Sequence, residues 1–225
     1  MQPSINNNTM KKAIILLACL FCLASLSNAQ VSRTISVNGL YSPWSTIKLN
    51  YNHDGQKGAM YNCIYKPQIG GALTYESDFA MLEVAISSGQ LSSIVEGEFP
   101  IKQWNVDMFK PATSFGATYY RRVNLLGENG RFQLPAYFGG GLNYSVAEPV
   151  KLISLNLAAK LRARFYITDT IGIYAGIGWN GGVGRVNGAP AGVLGYRGIV
   201  YGEAGLNLSY NSSGSKSLIA RILHL

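Results

Sequence analysis

Much of what soluble enzymes use for chemistry is scarce in this chain. Charged residues make up 13% of its 225 residues, against roughly 25% in an ordinary soluble domain. There are two histidines, His53 and His224, far apart in the sequence, and a metal centre needs more ligands than such a pair offers. Of three cysteines, Cys19 and Cys22 fall in an apolar leader, which leaves Cys63 alone; an internal disulfide and a cysteine metal cluster are both excluded. Beyond the leader no run of 18 apolar residues occurs, so no helix of the mature chain is predicted to cross a membrane. Basic residues form no runs, which argues against nucleic acid as a partner.

The start of the chain is a different kind of segment. Met10-Lys11-Lys12 is basic, Ala13 to Leu26 is apolar apart from Ser25, and Ser27-Asn28-Ala29 precedes Gln30. This is the pattern of a signal peptide over 1–29, cut between Ala29 and Gln30. A lipoprotein reading at Cys19 leaves an apolar core of about six residues, below the usual 7–15. The leader takes two of the 19 Lys+Arg and none of the 11 acids, so an exported chain would carry 17 against 11, or +6. That balance suits anionic lipid headgroups.

What the sequence has in plenty is alternation. From Phe132 to Val146 the even positions read Phe, Leu, Ala, Phe, Gly, Leu, Tyr, Val. From Ile153 to Ile167 the odd positions are all apolar, while Ser154, Asn156, Lys160, Arg162 and Arg164 lie between them. Residues 171–183 and 200–210 alternate in the same way, 115–125 and 80–86 less fully, and 59–76 and 47–51 add two more segments. A period of two over such lengths is a strand signal, and segments of about ten residues with one apolar face fit a bilayer-spanning strand. The turns at 76–78, 127–130 and 168–170 are short. They alternate with longer links at 53–58, about 87–112, 147–151 and 184–197. Short turns on one side of the membrane and long loops on the other are the arrangement of outer-membrane barrels. The predicted fold is all-β, an antiparallel up-and-down transmembrane β-barrel of about eight strands, with ten as the alternative. Residues 30–43 would be a lead-in, 44–210 the barrel and 211–225 a tail or an extra strand.

"LAAKLRARFYITDTIGIYAGIGW" and "NGRFQLPAYFGGGLNY" resemble strand–turn–strand units of the eight-stranded, OmpA-type outer-membrane barrels. The resemblance covers roughly residues 113–210, and the leader ending in Gln30 is similar to those of Bacteroidetes barrels. It implies an integral outer-membrane protein without a cofactor. Such barrels usually end on an aromatic; here fifteen residues follow Tyr210.

Several motifs compete for function. Gly176-Ile177-Gly178-Trp179-Asn180-Gly181 fits the dinucleotide-binding expression, which requires a helix after it. Gly182, Gly184 and Pro190 follow instead, so the stretch reads as a strand with a nearly bare face. That bareness has a use. Pairing across 168–170 sets Lys160 beside Gly178 and brings Glu203 to a similar level. A lumenal network of Lys160, Arg162 and Arg164 with Glu203, joined by Glu83 from another wall, is expected, as a packed polar core or a narrow anion passage. The rings of Trp44, Tyr51, Tyr119, Tyr144, Trp179 and Tyr210 fall near strand ends, where they would anchor in headgroups. Phe99, Ile101, Trp104, Val106, Met108 and Phe109 give the link at 87–112 an apolar surface for a protein partner or lipid.

The leading reading is therefore a non-catalytic, monomeric outer-membrane barrel that presents loops, with membrane lipid around it and no metal or cofactor. The alternatives are a narrow pore or a carrier of small apolar ligands; a soluble exported barrel with its apolar face inward; and a lipid A-modifying hydrolase using Ser45 and His53 beside Asp54.

Overall fold

The alternation is laid out as ten antiparallel strands: β1 Ser32–His53, β2 Gln56–Tyr65, β3 Gln68–Glu76, β4 Ala80–Gly89, β5 Leu91–Glu96, β6 Ala112–Leu126, β7 Phe132–Ala147, β8 Val150–Tyr166, β9 Ile171–Asn187 and β10 Val193–Asn211. They belong to a computed structural model that describes residues 32–53, 56–98, 110–127, 130–148, 150–187, 189 and 192–211. The signal segment 1–29, the cleavage point Ala29-Gln30 and all but Asn211 of the tail 211–225 lie outside the described residues.

Eight of the strands close a ring in the order β1-β3-β4-β6-β7-β8-β9-β10 and back to β1. Closure runs the length of β1. Thr34 Oγ1 lies 2.8 Å from Ser209 Oγ, Ser42 Oγ donates to the Val200 carbonyl at 2.6 Å, and the Asn52 amide donates to the Gly192 carbonyl at 2.9 Å. Closing the ring pairs each of its eight strands on both sides, which a bilayer demands because nothing there can satisfy an open strand.

The other two strands extend ring strands. β1 pairs with β2 from His53↔Gln56 to Ser45↔Tyr65, and with β3 from Ser42↔Gln68 to Thr34↔Glu76. Thus β2 and β3 are one wall strand interrupted at Lys66-Pro67, and β4 and β5, separated by Gln90, pair in turn with β3 and β2. Ten segments make eight wall strands.

The interruption has a physical origin. Pro43 and Pro67 have no N–H for the ladder, and at their level both strands turn two successive residues outward, Pro43-Trp44 and Lys66-Pro67. Below that point even residues such as Ser36, Asn38 and Ser42 are buried; above it Ser45, Ile47 and Leu49 are. The shift sends one stretch of apolar side chains into the lumen.

Several expected boundaries move. The lead-in proposed over 30–43 is strand from Ser32 onward. Ile47 and Leu49 point inward instead of forming a lipid-facing set. The long link at 87–112 is strand over Leu91–Glu96, and its apolar residues Phe99 to Phe109 lie outside the described residues. The link at 184–197 is mostly strand, because β9 runs to Asn187 and β10 begins at Val193. Glycines at 182, 184, 195 and 198 thin out the side chains that make alternation visible.

The short turns at 76–78 and 168–170 are as the sequence reads them, and residues 128–129 of the third lie outside the described residues. Gly127, with φ 72°, supplies the left-handed residue after β6. Thr168 Oγ1 accepts from the Ile171 amide at 2.9 Å and from the Thr170 amide at 3.3 Å, closing the turn from β8 into β9. These turns and both ends of the barrel chain, Ser32 and Asn211, lie at one end of the ring, here the turn end; the longer links lie at the loop end.

Every ring strand carries large apolar residues on its outside, among them Val37, Ile69, Ile86, Phe115, Phe138, Leu157, Ile177 and Leu206. Leu155 and Leu157 are 69% and 68% exposed. A soluble monomer seldom exposes more than a few hundred Å² of contiguous apolar surface, and here the band runs around the whole ring. The charged side chains Lys160, Arg162, Arg164, Glu76, Glu83 and Glu203 are inside and buried. This is the reverse of the soluble, apolar-inside barrel weighed above. The chain is an all-β transmembrane barrel, with lipid as the solvent of its outer face.

Candidate functional site

The lumen is built in layers that follow the strand register. β8 dominates it, because its even residues point inward from Val150 at the loop end to Arg164 near the turn end, while Ile153, Leu155, Leu157 and Phe165 face lipid.

The lowest layer is centred on Glu76. Arg164 forms a bidentate pair with its carboxylate, Nη1 donating to Oε1 at 3.0 Å and Nη2 to Oε2. Arg122 lies 2.9 Å from Oε1, and the Tyr137 hydroxyl donates to the same oxygen at 2.9 Å. Arg164 Nη2 also donates to the Tyr137 hydroxyl at 2.6 Å. The planar fork of a guanidinium matches both carboxylate oxygens at once, which a lysine could not do.

The middle layer holds Lys160, Arg162, Glu83 and Glu203. Arg162 Nε donates to Glu203 Oε1 at 2.5 Å and its Nη2 to Oε2 at 3.0 Å. Lys160 Nζ donates to Glu83 Oε2, and reaches Glu203 Oε2 at 3.3 Å. Arg162 Nη2 lies 3.5 Å from Glu83 Oε2, the Tyr120 hydroxyl donates to Glu83 Oε1 at 3.1 Å, and Asn38 Nδ2 donates to Glu203 Oε2 at 2.7 Å. Aromatic faces complete the box: Lys160 Nζ is 5.0 Å from the Tyr120 ring centre and 5.4 Å from that of Tyr201, and the Arg162 guanidinium is 4.6 Å from that of Tyr174. Buried charges require this density of partners, because an isolated one costs several kcal/mol.

The glycines of β9 make room for it. Lys160 pairs with Gly178 and Arg162 with Gly176, while Glu203 pairs with Gly176 from the other side. A Cβ on Gly176 would stand 3.1 Å from Glu203 Oε1 and 3.2 Å from the Arg162 Cγ, and one on Gly178 would enter the Tyr201 phenol. An eight-stranded barrel is only just wide enough for side chains, so bulk on β8 and β10 requires bareness on β9 between them.

Of the expected network, the structure brings Lys160, Arg162, Glu83 and Glu203 together and gives Arg164 to another carboxylate, Glu76. In the sequence Glu76 reads as part of the turn at 76–78. The signal was present in β3, where Leu73 is exposed and Thr74 and Glu76 are buried, so simple alternation aims Glu76 inward.

Above the ions the lumen changes character twice. First comes a polar zone with Arg197, Asn143, Asn156, Asn180 and several hydroxyls; Ser114 Oγ lies 2.8 Å from Ser145 Oγ, which donates to Asn143 Oδ1 at 2.7 Å. Then, at the loop end, Ile47, Leu49, Met60, Tyr61, Cys63, Tyr65, Leu152, Val186 and Val193 pack as an apolar cluster inside the barrel. The sequence reading missed this plug, because it depends on the reversal at Pro43 and Pro67.

Other candidates fare differently. Ser45, weighed with His53 for hydrolysis, is 1% exposed and faces the lumen; the side chains of His53 and Asp54 lie outside the described residues. Among the described residues no three His, Cys, Asp or Glu side chains gather as a metal site. Trp44, Tyr119, Tyr144 and Trp179 face outward, whereas Tyr51 packs on the apolar plug.

No protein-family model matches the chain and no curated protein matches it. Among solved structures it is similar to the outer membrane protein OprG from Pseudomonas aeruginosa, at 12% identity over 82% of this chain and 97% of that one, TM-score 0.48. It is also similar to Neisserial surface protein A, at 13% identity over 79% and 97%, TM-score 0.41. The attachment invasion locus protein Ail of Yersinia pestis follows, at 11% identity over 81% and 100%, TM-score 0.37. The eight-strand closure and the inside-out polarity rest on the chain's own register and exposure.

Proposed function

We propose that this chain is a monomeric, non-catalytic outer-membrane barrel whose lumen is packed shut, and that it serves to hold its loop end at the cell surface. The single observation that carries this reading is the filling of the lumen. Two ionic layers, joined across the barrel from β3 and β4 to β8 and β10, lie below an apolar plug made of side chains from β1, β2, β8, β9 and β10. A passage for solutes needs a continuous wet path, and both fillings oppose one. Rigid packing of the interior instead gives a stiff pedestal, and the apolar sequence of residues 99–109 supports contact of that stretch with a protein partner or with lipid. The signal segment supports export, and the lipid-facing band supports insertion.

The experiment is reconstitution of the purified, heat-modifiable barrel into planar bilayers. Absence of steady unitary currents under an applied potential is the expected result. Reproducible ohmic channels would overturn the closed-lumen reading in favour of the narrow pore.

A further inference from the structure

One charged group in the lumen has no counterpart. Arg197 on β10 is 7% exposed, and among the described residues it forms no ion pair or hydrogen bond. Every other buried cation of the lumen holds a carboxylate: Arg122 and Arg164 hold Glu76, while Lys160 and Arg162 share Glu83 and Glu203. Among the described residues the interior therefore sets five cations against three carboxylates. The lone positive charge sits within a lipid-surrounded wall, where bulk water does not screen it.

Arg197 also lines a chamber. A cavity of about 50 Å³ lies beside it, walled by Ser42, Gln68, Ser114, Asn143 and Asn180, with Glu83 and Tyr201 among its other wall residues. About 10–15 Å³ of such space suffices for one water molecule, so the chamber takes a small ion with a few waters. Two of its amides have hydrogen-bonding capacity to spare, since Gln68 Oε1 and Asn180 Oδ1 are buried without a partner. Half a turn of either amide replaces that oxygen with N–H donors.

We propose that this chamber is a binding site for a small inorganic monovalent anion of halide size, held by the Arg197 guanidinium and by the amides and hydroxyls around it. Charge decides the class: the lumen carries an excess of cations, and the excess inside the chamber is at Arg197. Size and the wall decide the member. The volume is small, and the Glu83 carboxylate, already engaged by Lys160, Arg162 and Tyr120, repels a dianion more strongly than a monoanion. The chamber lies between the ionic layer and the apolar plug, so the anion is supplied from the start of folding. The inference goes beyond the closed-lumen reading and fails separately from it, since bilayer recording reports passage and not occupancy.

The test folds the full mature chain from urea into detergent in sodium bromide and, separately, in sodium gluconate at equal ionic strength. Crystals of the bromide-folded protein are then measured at the bromide edge. An anomalous peak within hydrogen-bond reach of Arg197 is expected, and it should vanish in Arg197→Gln. Peaks on the outer surface only, or none, would overturn the site. Should Arg197→Gln fail to fold, the unfolding equilibrium of the unaltered protein replaces it. At bromide tenfold above its dissociation constant the folded-to-unfolded ratio should rise about tenfold over gluconate, and a ratio that does not respond to the anion would overturn the proposal.

Discussion

Glu203→Gln is the substitution that most directly probes why the lumen holds together. The side chain keeps its shape and one acceptor oxygen; it loses its charge, and its other acceptor becomes an N–H donor. In the native barrel Glu203 accepts from Arg162 at 2.5 and 3.0 Å, from Lys160 at 3.3 Å and from Asn38 at 2.7 Å. Without the charge, Lys160 and Arg162 face Glu83 alone, and all three are buried. Breaking a buried pair from one side costs about 3–5 kcal/mol, because the remaining charge is left uncompensated; the retained amide oxygen puts this variant near the lower figure. At about 1.4 kcal/mol per decade, the folded-to-unfolded ratio falls roughly a hundredfold or more. Urea unfolding in detergent, read by gel mobility with and without heating, measures it directly. With a denaturant slope of about 1–3 kcal/mol per molar, the midpoint should drop by roughly 1–3 M. Glu148→Gln is the control, since among the described residues that exposed carboxylate pairs with exposed Lys110 alone, at 3.0 Å, and its loss should leave the midpoint in place. A Glu203→Gln midpoint within about 0.3 M of the unaltered protein would refute the argument that the interior depends on charge compensation.

Two further outcomes follow from the outer surface and the rim. Leu157→Arg puts a cation on the lipid face, where Leu157 is 68% exposed; it should cost about 2–4 kcal/mol near the bilayer midplane, and an unchanged unfolding midpoint in lipid vesicles would mean that this face meets water. At the loop end, the hydrogen bond from Lys110 and the charge of its ammonium hold the Glu148 carboxyl below the usual carboxylate range. A group whose folded pKa is depressed contributes above its unfolded pKa and loses that contribution as pH falls through the folded value. An NMR titration of Glu148 should therefore show a midpoint below that of a free glutamate and a return towards it in Lys110→Ala; equal midpoints would dissolve the pair.

What could be read from the sequence follows distance along the chain. In β8 the aliphatic residues at 153, 155 and 157 settle which face meets lipid, so Lys160, Arg162 and Arg164 must point the other way; that inference needs nothing beyond the pleat. The bare face of β9 beside them is equally local, since it depends only on pairing across a tight turn. The partners were harder. Arg164 has the same parity as Arg162, yet it bonds Glu76 and not Glu203, because the tilt of the strands sets it against β3 one layer lower. Arg197 stands in a stretch that reads as a loop, because the glycines around it hide the alternation.

The sequence by itself determined the strand period, the short turns and the polarity of the wall, since a period of two needs only neighbours within a strand. Tertiary structure decided which carboxylate meets which cation, where the interior becomes apolar and that Arg197 faces a chamber alone. Those outcomes depend on closure of the ring and on the shared reversal at Pro43 and Pro67, where a shift of one residue exchanges the inside of the barrel for the outside.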